Sequence, residues 1–176
     1  SPDQVRQLVA ALRETVGRAD APVLIDQEGG RVARLTPPHW RSYPTAATLA
    51  ALGDARAAAA VELGARLIAD DLLALGITVD CLPVLDVPAA GADPVIGDRA
   101  YGSDPAVVAT LGRAACAGLL AGAVLPVVKH IPGHGRGAVD SHVALPVVSA
   151  SFGELEAVDF APFRALSDMP WGMTAH

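Results

Sequence analysis

The chain has 176 residues, 52% of them hydrophobic and 18% charged, enough to bury one substantial core and too apolar for a disordered tract. Its net charge of −6 and pI near 5.2, with no basic run in either half, exclude an electrostatic surface for nucleic acid or an anionic membrane. Small neutral or polar substrates remain open. The longest apolar run, Ala114 to Val128, is interrupted by Pro126 and falls short of the roughly 20 residues of a bilayer span, so it reads as a core segment. No basic stretch precedes an apolar one at the start, so no secretory signal is expected. Cys81 and Cys116 lie in apolar surroundings and read as reduced thiols of a reducing compartment, not as a disulfide framework.

In chain order, Ser1-Pro2-Asp3 ahead of Val5, Leu8, Val9 and Leu12 predicts a capped amphipathic helix ended by Gly17. Ala21 to Ile25 reads as a buried strand stopped by Asp26-Gln27-Glu28-Gly29-Gly30. An irregular loop through Trp40 and Pro44 leads to an Ala-rich helix from about Asp54 to Leu75, closed by Gly76. Ile77 to Val87 is a second strand, followed by a loop from Pro88 to Asp104. A helix from Asp104-Pro105 to about Gly122 precedes a third strand, Val124 to Val128. After a long His-rich loop come a helix from Phe152 to about Ser167 and a fourth strand, Trp171 to Ala175.

Short apolar strands, each preceded by a helix, imply parallel pairing through helical crossovers, hence a doubly wound sheet or a (β/α) barrel. Asp26, Asp86, Lys129-His130 and His176 all fall at carboxyl ends of strands. A site fed by many successive strand ends is the barrel pattern, whereas a doubly wound sheet gathers its site at one switch point. The expected fold is therefore an α/β TIM (β/α)8 barrel, of which residues 1–176 hold about four of eight strands. The same count implies truncation at both ends and a piece that is marginal or aggregation-prone alone, with uncovered sheet edges and helix faces.

The chemistry concentrates in Lys129 to His142, which holds three of five histidines and the only lysine beside twelve arginines. An ammonium is a compact, rotatable donor that a planar guanidinium does not replace. Upstream, Asp26 with Arg31 and Arg34 reads either as a substrate clamp or as an ion pair bracing a loop, and Arg99 as a structural ion pair or a ligand. Gly133-His134-Gly135-Arg136-Gly137-Ala138 formally fits a dinucleotide fingerprint, but no helical pattern follows it, so it is rejected as one. A metal on His130, His134, Asp140 and His142 is disfavoured by the neighbouring ammonium, and neither metal nor cofactor is expected. Asp140 and His142, two apart in an extended segment, point the same way, so the carboxylate can hold one imidazole nitrogen while the other meets substrate. A loop histidine with an incidental aspartate fits that spacing equally well.

Ile25-Asp26-Gln27-Glu28-Gly29-Gly30-Arg31-Val32, Pro83 to Val87, Ile96 to Tyr101, Lys129 to Gly135 and Asp140-Ser141-His142 resemble, in the same order, the consecutive motifs of family 3 glycoside hydrolases. Met173-Thr174-Ala175-His176 adds to the match, and the branch most similar is the bacterial cytoplasmic β-N-acetylglucosaminidases of peptidoglycan recycling. The resemblance implies a barrel that removes terminal β-N-acetylglucosamine from muropeptides with retention of configuration. It implies that Asp26, Arg34, Arg99, Lys129 and His130 bind sugar hydroxyls and that His142, oriented by Asp140, is the acid/base in place of a carboxylic acid. Ile131 stands where the family usually has phenylalanine. The family's nucleophile is an aspartate after the strand following His176, so the chain by itself is expected to be inactive. Asp168 precedes a strand and belongs to the opposite face. The expected partner is a small carbohydrate or muropeptide bound by a cytoplasmic monomer, with no nucleic acid and no membrane. A degenerate sugar-binding domain and a metal-dependent hydrolase using the histidines are the rival readings.

Overall fold

The first helix, α1 (Pro2–Val16), starts where the cap predicts: Ser1 and Gln4 close a capping box, and Gly17 ends the helix at φ 71°. The chain is seen in a computed structural model that describes residues 1–92, 94–137 and 147–175. Its strands are β1 (Leu24–Ile25), β2 (Gln27–Gly29), β3 (Val32–Ala33), β4 (Val79–Asp80), β5 (Leu125–Ile131) and β6 (Trp171–Thr174). The remaining helices are α2 (Ala46–Ala50), α3 (Asp54–Leu73), α4 (Pro105–Ala121), α5 (Phe152–Ala157) and α6 (Ala161–Ala165), with a 3₁₀ turn at Gly97–Arg99.

Four strands form one parallel sheet in the order β1-β4-β5-β6, with Leu24 beside Val79, Val79 beside Leu125, and Val127 beside Trp171. Strand order follows chain order with no reversal. A doubly wound sheet needs a switch point, so this is an arc of a (β/α) barrel. Its helices pack side by side, α3 against α4 and α4 against α6. Gly118 permits the α3–α4 approach: a Cβ there would overlap the Glu62 carbonyl oxygen and lie 2.9 Å from the Ala65 Cβ.

Two apolar layers sandwich the sheet. Val128 joins the large helix-side core with Leu72, Leu85, Val108 and Leu119, while its neighbour Val127 joins Val79 and Cys81 in a small cluster with Leu125 and Met173. That alternation is the period-two geometry of a strand covered on both faces. Cys81 and Cys116 are unpaired and buried, and burial pushes their thiols up to about 11 and about 12 respectively. On the outside, Leu8, Leu12 and Val16 of α1 and Leu24 of the edge strand β1 are exposed.

The elements differ from expectation in five places. The first strand is confined to Leu24–Ile25, and Asp26-to-Gly30 is the start of an antiparallel hairpin, not a plain loop. α2 lies in what reads as irregular sequence, although Thr45 caps it in the ordinary way. The second strand is regular only over Val79–Asp80; beyond it the register against β5 shifts, with Val127 N donating to Leu82 O and Lys129 N to Pro83 O, both at 3.1 Å, ahead of a Val84–Lys129 bridge. The third strand, in contrast, extends through Lys129 and His130 to Ile131. The Phe152-to-Ser167 helix breaks into α5 and α6, with Asp159 between them turned inward to an ion pair.

Candidate active site

The pocket at the carboxyl ends of the strands is built from the hairpin outward. Gly29 at φ 98° and Gly30 at φ 54° make its turn, and a Cβ on Gly29 would lie 2.6 Å from the Pro44 carbonyl oxygen. Gln27 is buried beneath. Its Oε1 accepts from Arg34 N and Leu35 N, both at 2.9 Å, its Nε2 donates to Leu35 O at 2.9 Å, and its own N–H donates to Asp80 Oδ1 at 3.0 Å. Asp26 and Glu28, flanking this anchored residue, project together toward β5.

They meet on Lys129. Its Nζ donates to Asp26 Oδ1 at 2.9 Å and lies 2.6 Å from Glu28 Oε1, with the lysine side chain only 2% exposed. Arg99 grips the same Glu28 with both arms of its fork, Nε to Oε2 at 2.9 Å and Nη2 to Oε1 at 2.8 Å. Arg34 Nη2 stands 3.7 Å from Asp26 Oδ2. Burial pushes the Asp26 carboxyl up, but the Lys129 hydrogen bond and charge, with Arg34 and Arg99, outweigh it and hold the group below the usual carboxylate range. Asp80, one layer down with no exposure, goes the other way: burial raises it well above that range against the opposing Gln27 N–H and Lys129 charge.

On the next strand end, His130 Nδ1 lies 2.6 Å from Asp86 Oδ2, and Asp86 Oδ1 accepts from the backbone N–H of His130 at 3.3 Å and of His134 at 2.7 Å. Lys129 and His130 are consecutive in a strand yet both line the pocket, where the register of β5 against β6 slips between Lys129 and Ile131. Ile131 packs over Gly172 and leaves the polar contacts of its neighbours in place. The segment beyond is tied down by Ala89 N to Gly135 O at 2.8 Å and by Arg136 Nε to the buried Asp159 at 2.7 Å.

The resulting cavity, about 330 Å³, is lined by Asp26, Arg34, Arg99, Lys129, His130 and His134, with Met173 and Thr174 of β6 on its wall. All five residues expected to bind sugar hydroxyls are therefore brought together. Asp140 and His142 lie outside the described residues, as does His176. The two readings of the hairpin arginines divide between them. Arg31 braces a loop, pairing with Asp98 at 3.1 Å and donating to Val95 O at 2.6 Å, whereas Arg34 reaches the pocket. Arg99 is both an ion pair and a pocket wall. Asp168 stands before β6 and pairs with Arg113 at 2.9 Å, away from the pocket. Among the described residues no group of three His, Cys, Asp or Glu side chains is arranged to hold a metal, and no helix is long and apolar enough to cross a membrane.

Glu28 carries no role on the sequence reading, although Asp-x-Glu spacing at a strand end is a usable signal for two carboxylates on one side. Asp86 is legible at a strand end but not its contact with His130, because a contact across 44 residues leaves no local pattern.

The arrangement, a buried ammonium and an oriented imidazole beside partly exposed carboxylate and guanidinium groups, suits a neutral ligand rich in hydroxyls. Comparison with known proteins identifies the family. Residues 1–176 match the family model described as the glycosyl hydrolase family 3 N terminal domain. A β-hexosaminidase of Methylococcus capsulatus is 42% identical over 94% of the chain and 48% of the relative. The β-hexosaminidase LpqI of Mycobacterium tuberculosis is 44% identical over 82% of the chain and 36% of its own length. The crystal structure of NagZ from Neisseria gonorrhoeae in complex with N-trifluoroacetyl-D-glucosamine superposes with a TM-score of 0.92 at 36% identity, covering all of this chain and 53% of that one. The chain thus spans about half the length of curated relatives such as the Methylococcus enzyme.

Proposed function

The chain belongs to glycosyl hydrolase family 3, and from that premise we propose that it supplies the sugar-binding half of a retaining β-N-acetylglucosaminidase acting on peptidoglycan-derived muropeptides. One observation carries the reading: Asp26, Arg34, Arg99, Lys129 and His130, drawn from three different strand ends and a loop, line a single cavity. Asp26, held ionised, accepts hydrogens from sugar hydroxyls; Arg34, beside it and half in solvent, donates to sugar oxygens. Lys129, clamped between two carboxylates, has one donor direction left for a third acceptor.

In this reading His142, oriented by Asp140, protonates the leaving oxygen as the glycosyl–oxygen bond breaks, then takes a proton from the water that hydrolyses the glycosyl-enzyme. The nucleophile is assigned to no residue of this chain. Unpaired, buried Cys81 and Cys116 fit a cytoplasmic setting, and we take the working form to be a monomer with a small carbohydrate as its partner.

Binding tests the first half. Titration of N-acetylglucosamine into a protein of the relatives' full length that contains this chain is expected to show an interaction that Asp26→Asn weakens about tenfold or more, the cost of losing charge-assisted hydrogen bonds; unchanged affinity removes the clamp. For the second half, His142→Ala is introduced into a protein of the relatives' full length that contains this chain. It should slow natural aglycones strongly and activated ones little, because a good leaving group needs little protonation. Equal losses remove the general-acid assignment.

A further inference from the structure

Asp86 has no exposure and no place on the pocket wall, yet three donors converge on it. Its Oδ1 is occupied by two backbone N–H groups, of His130 at 3.3 Å and His134 at 2.7 Å, which donate and cannot accept. Its Oδ2 faces His130 Nδ1 at 2.6 Å. A carboxylate opposite an imidazole nitrogen requires the proton there, so the neutral ring carries it on Nδ1 and is bare at Nε2. His130 lines the cavity, and Nε2 is on the edge of the ring away from Asp86.

We propose that Asp86 is a positioning residue that sets the hydrogen-bond polarity of the pocket: by keeping the His130 proton on Nδ1 it makes Nε2 an acceptor, so that the site takes a ligand hydroxyl that donates there. The identity of that hydroxyl as a sugar's rests on the proposed function; the polarity of the ring does not. The same carboxylate ties the start of the segment after β5 to the ring, so the imidazole and the His134 backbone share one anchor.

The geometry dictates what asparagine does at this position. Two N–H groups point at Oδ1, so the amide oxygen of Asp86→Asn must sit there and its NH₂ must face His130. Nδ1 then becomes the acceptor and the ring proton moves to Nε2, the same tautomer reversal that asparagine causes at the aspartate of a Ser-His-Asp triad. A contact that only braced the fold would not move that proton.

The test is the nitrogen–proton correlation spectrum of the imidazoles in a ¹⁵N-labelled protein of the relatives' full length that contains this chain, at a pH where the ring is neutral, with His130 assigned by its loss in His130→Gln. Protonated Nδ1 in the wild type and protonated Nε2 in Asp86→Asn are the expected results. Protonated Nε2 in the wild type, or the same tautomer in both, overturns the proposal; if Asp86→Asn does not fold, the wild-type spectrum decides alone. Deoxy and deoxyfluoro analogues of N-acetylglucosamine form the second arm. At one hydroxyl, fluorine, which cannot donate, should cost the wild type as much as hydrogen does, about tenfold in affinity, and Asp86→Asn should favour the fluoro over the deoxy analogue there. Equal binding of all analogues overturns the acceptor role, and failure of every analogue to bind removes the sugar reading while the tautomer result stands.

Discussion

Replacing Glu28 by glutamine should unfold the molecule more readily than any loss of a surface ion pair, and the structure sets the size. The carboxylate, 5% exposed, receives Lys129 at 2.6 Å and both arms of Arg99 at 2.8 and 2.9 Å. Removing one partner from a buried ionic cluster costs roughly 3–5 kcal/mol, because the charges left behind stay desolvated. Lys129 keeps Asp26 at 2.9 Å, which argues for the lower end, about 3 kcal/mol. For a chain of this size that is a fall of roughly 6–12 °C in Tm. Urea unfolding followed by circular dichroism, with the exposed Asp20→Asn as the comparison expected to leave the midpoint essentially unchanged, measures it. The double variant Glu28→Gln with Lys129→Met should lose less than the sum of the single variants, since it removes charge from both sides of the pair. A Glu28→Gln loss below about 1 kcal/mol would refute the picture of Glu28 as the charge that lets Lys129 be buried.

Three further outcomes follow from other parts of the molecule. Gly118→Ala, whose Cβ overlaps the Glu62 carbonyl oxygen, should cost about 1–3 kcal/mol, whereas Gly153→Ala, with nothing within 4 Å on a short helix, should be neutral or stabilise by up to about 1 kcal/mol; paired urea curves check both. Asp80, raised well above its usual range by burial, contributes stability that is complete below its unfolded pKa and is lost as pH rises toward the folded one. The stability of the wild type relative to Asp80→Asn should therefore fall by up to about 1.4 kcal/mol per pH unit from about pH 4 upward, and pH-independent differences in urea midpoints would contradict this. Lys129→Arg, forced to seat a planar fork where an ammonium is 2% exposed, should cost about 1–3 kcal/mol by overpacking and abolish titratable N-acetylglucosamine binding; retained binding would mean that charge alone suffices.

Where local chemistry decides an element, the sequence was sufficient. The capping box at Ser1 and Gln4 and the left-handed Gly17 bound α1 without tertiary help. So did Asp104 and Pro105 for α4, and the alternation of helices with short apolar strands already implied parallel pairing. The pocket residues were legible too, because a lone lysine, a strand-terminal aspartate and an ordered set of motifs are visible in one dimension. Strand limits were not. The register of β4 against β5 shifts after Asp80 while the chain still reads as strand, and β5 runs on through charged residues because Lys129 finds Asp26 and Glu28 rather than water. Asp159 looks like an ordinary helix residue until Arg136, 23 residues away, is seen to hold it inward and split α5 from α6.

The fold class and the identity of the polar residues at the strand ends are readable in one dimension, since both follow from periodicity and residue chemistry. Their pairing comes from the three-dimensional arrangement: Glu28 and not Asp26 alone neutralises Lys129, Arg31 braces while Arg34 reaches the pocket, and Asp86 faces His130. Those contacts join residues tens of positions apart, and their strength comes from burial, which exists only once the sheet has closed over them.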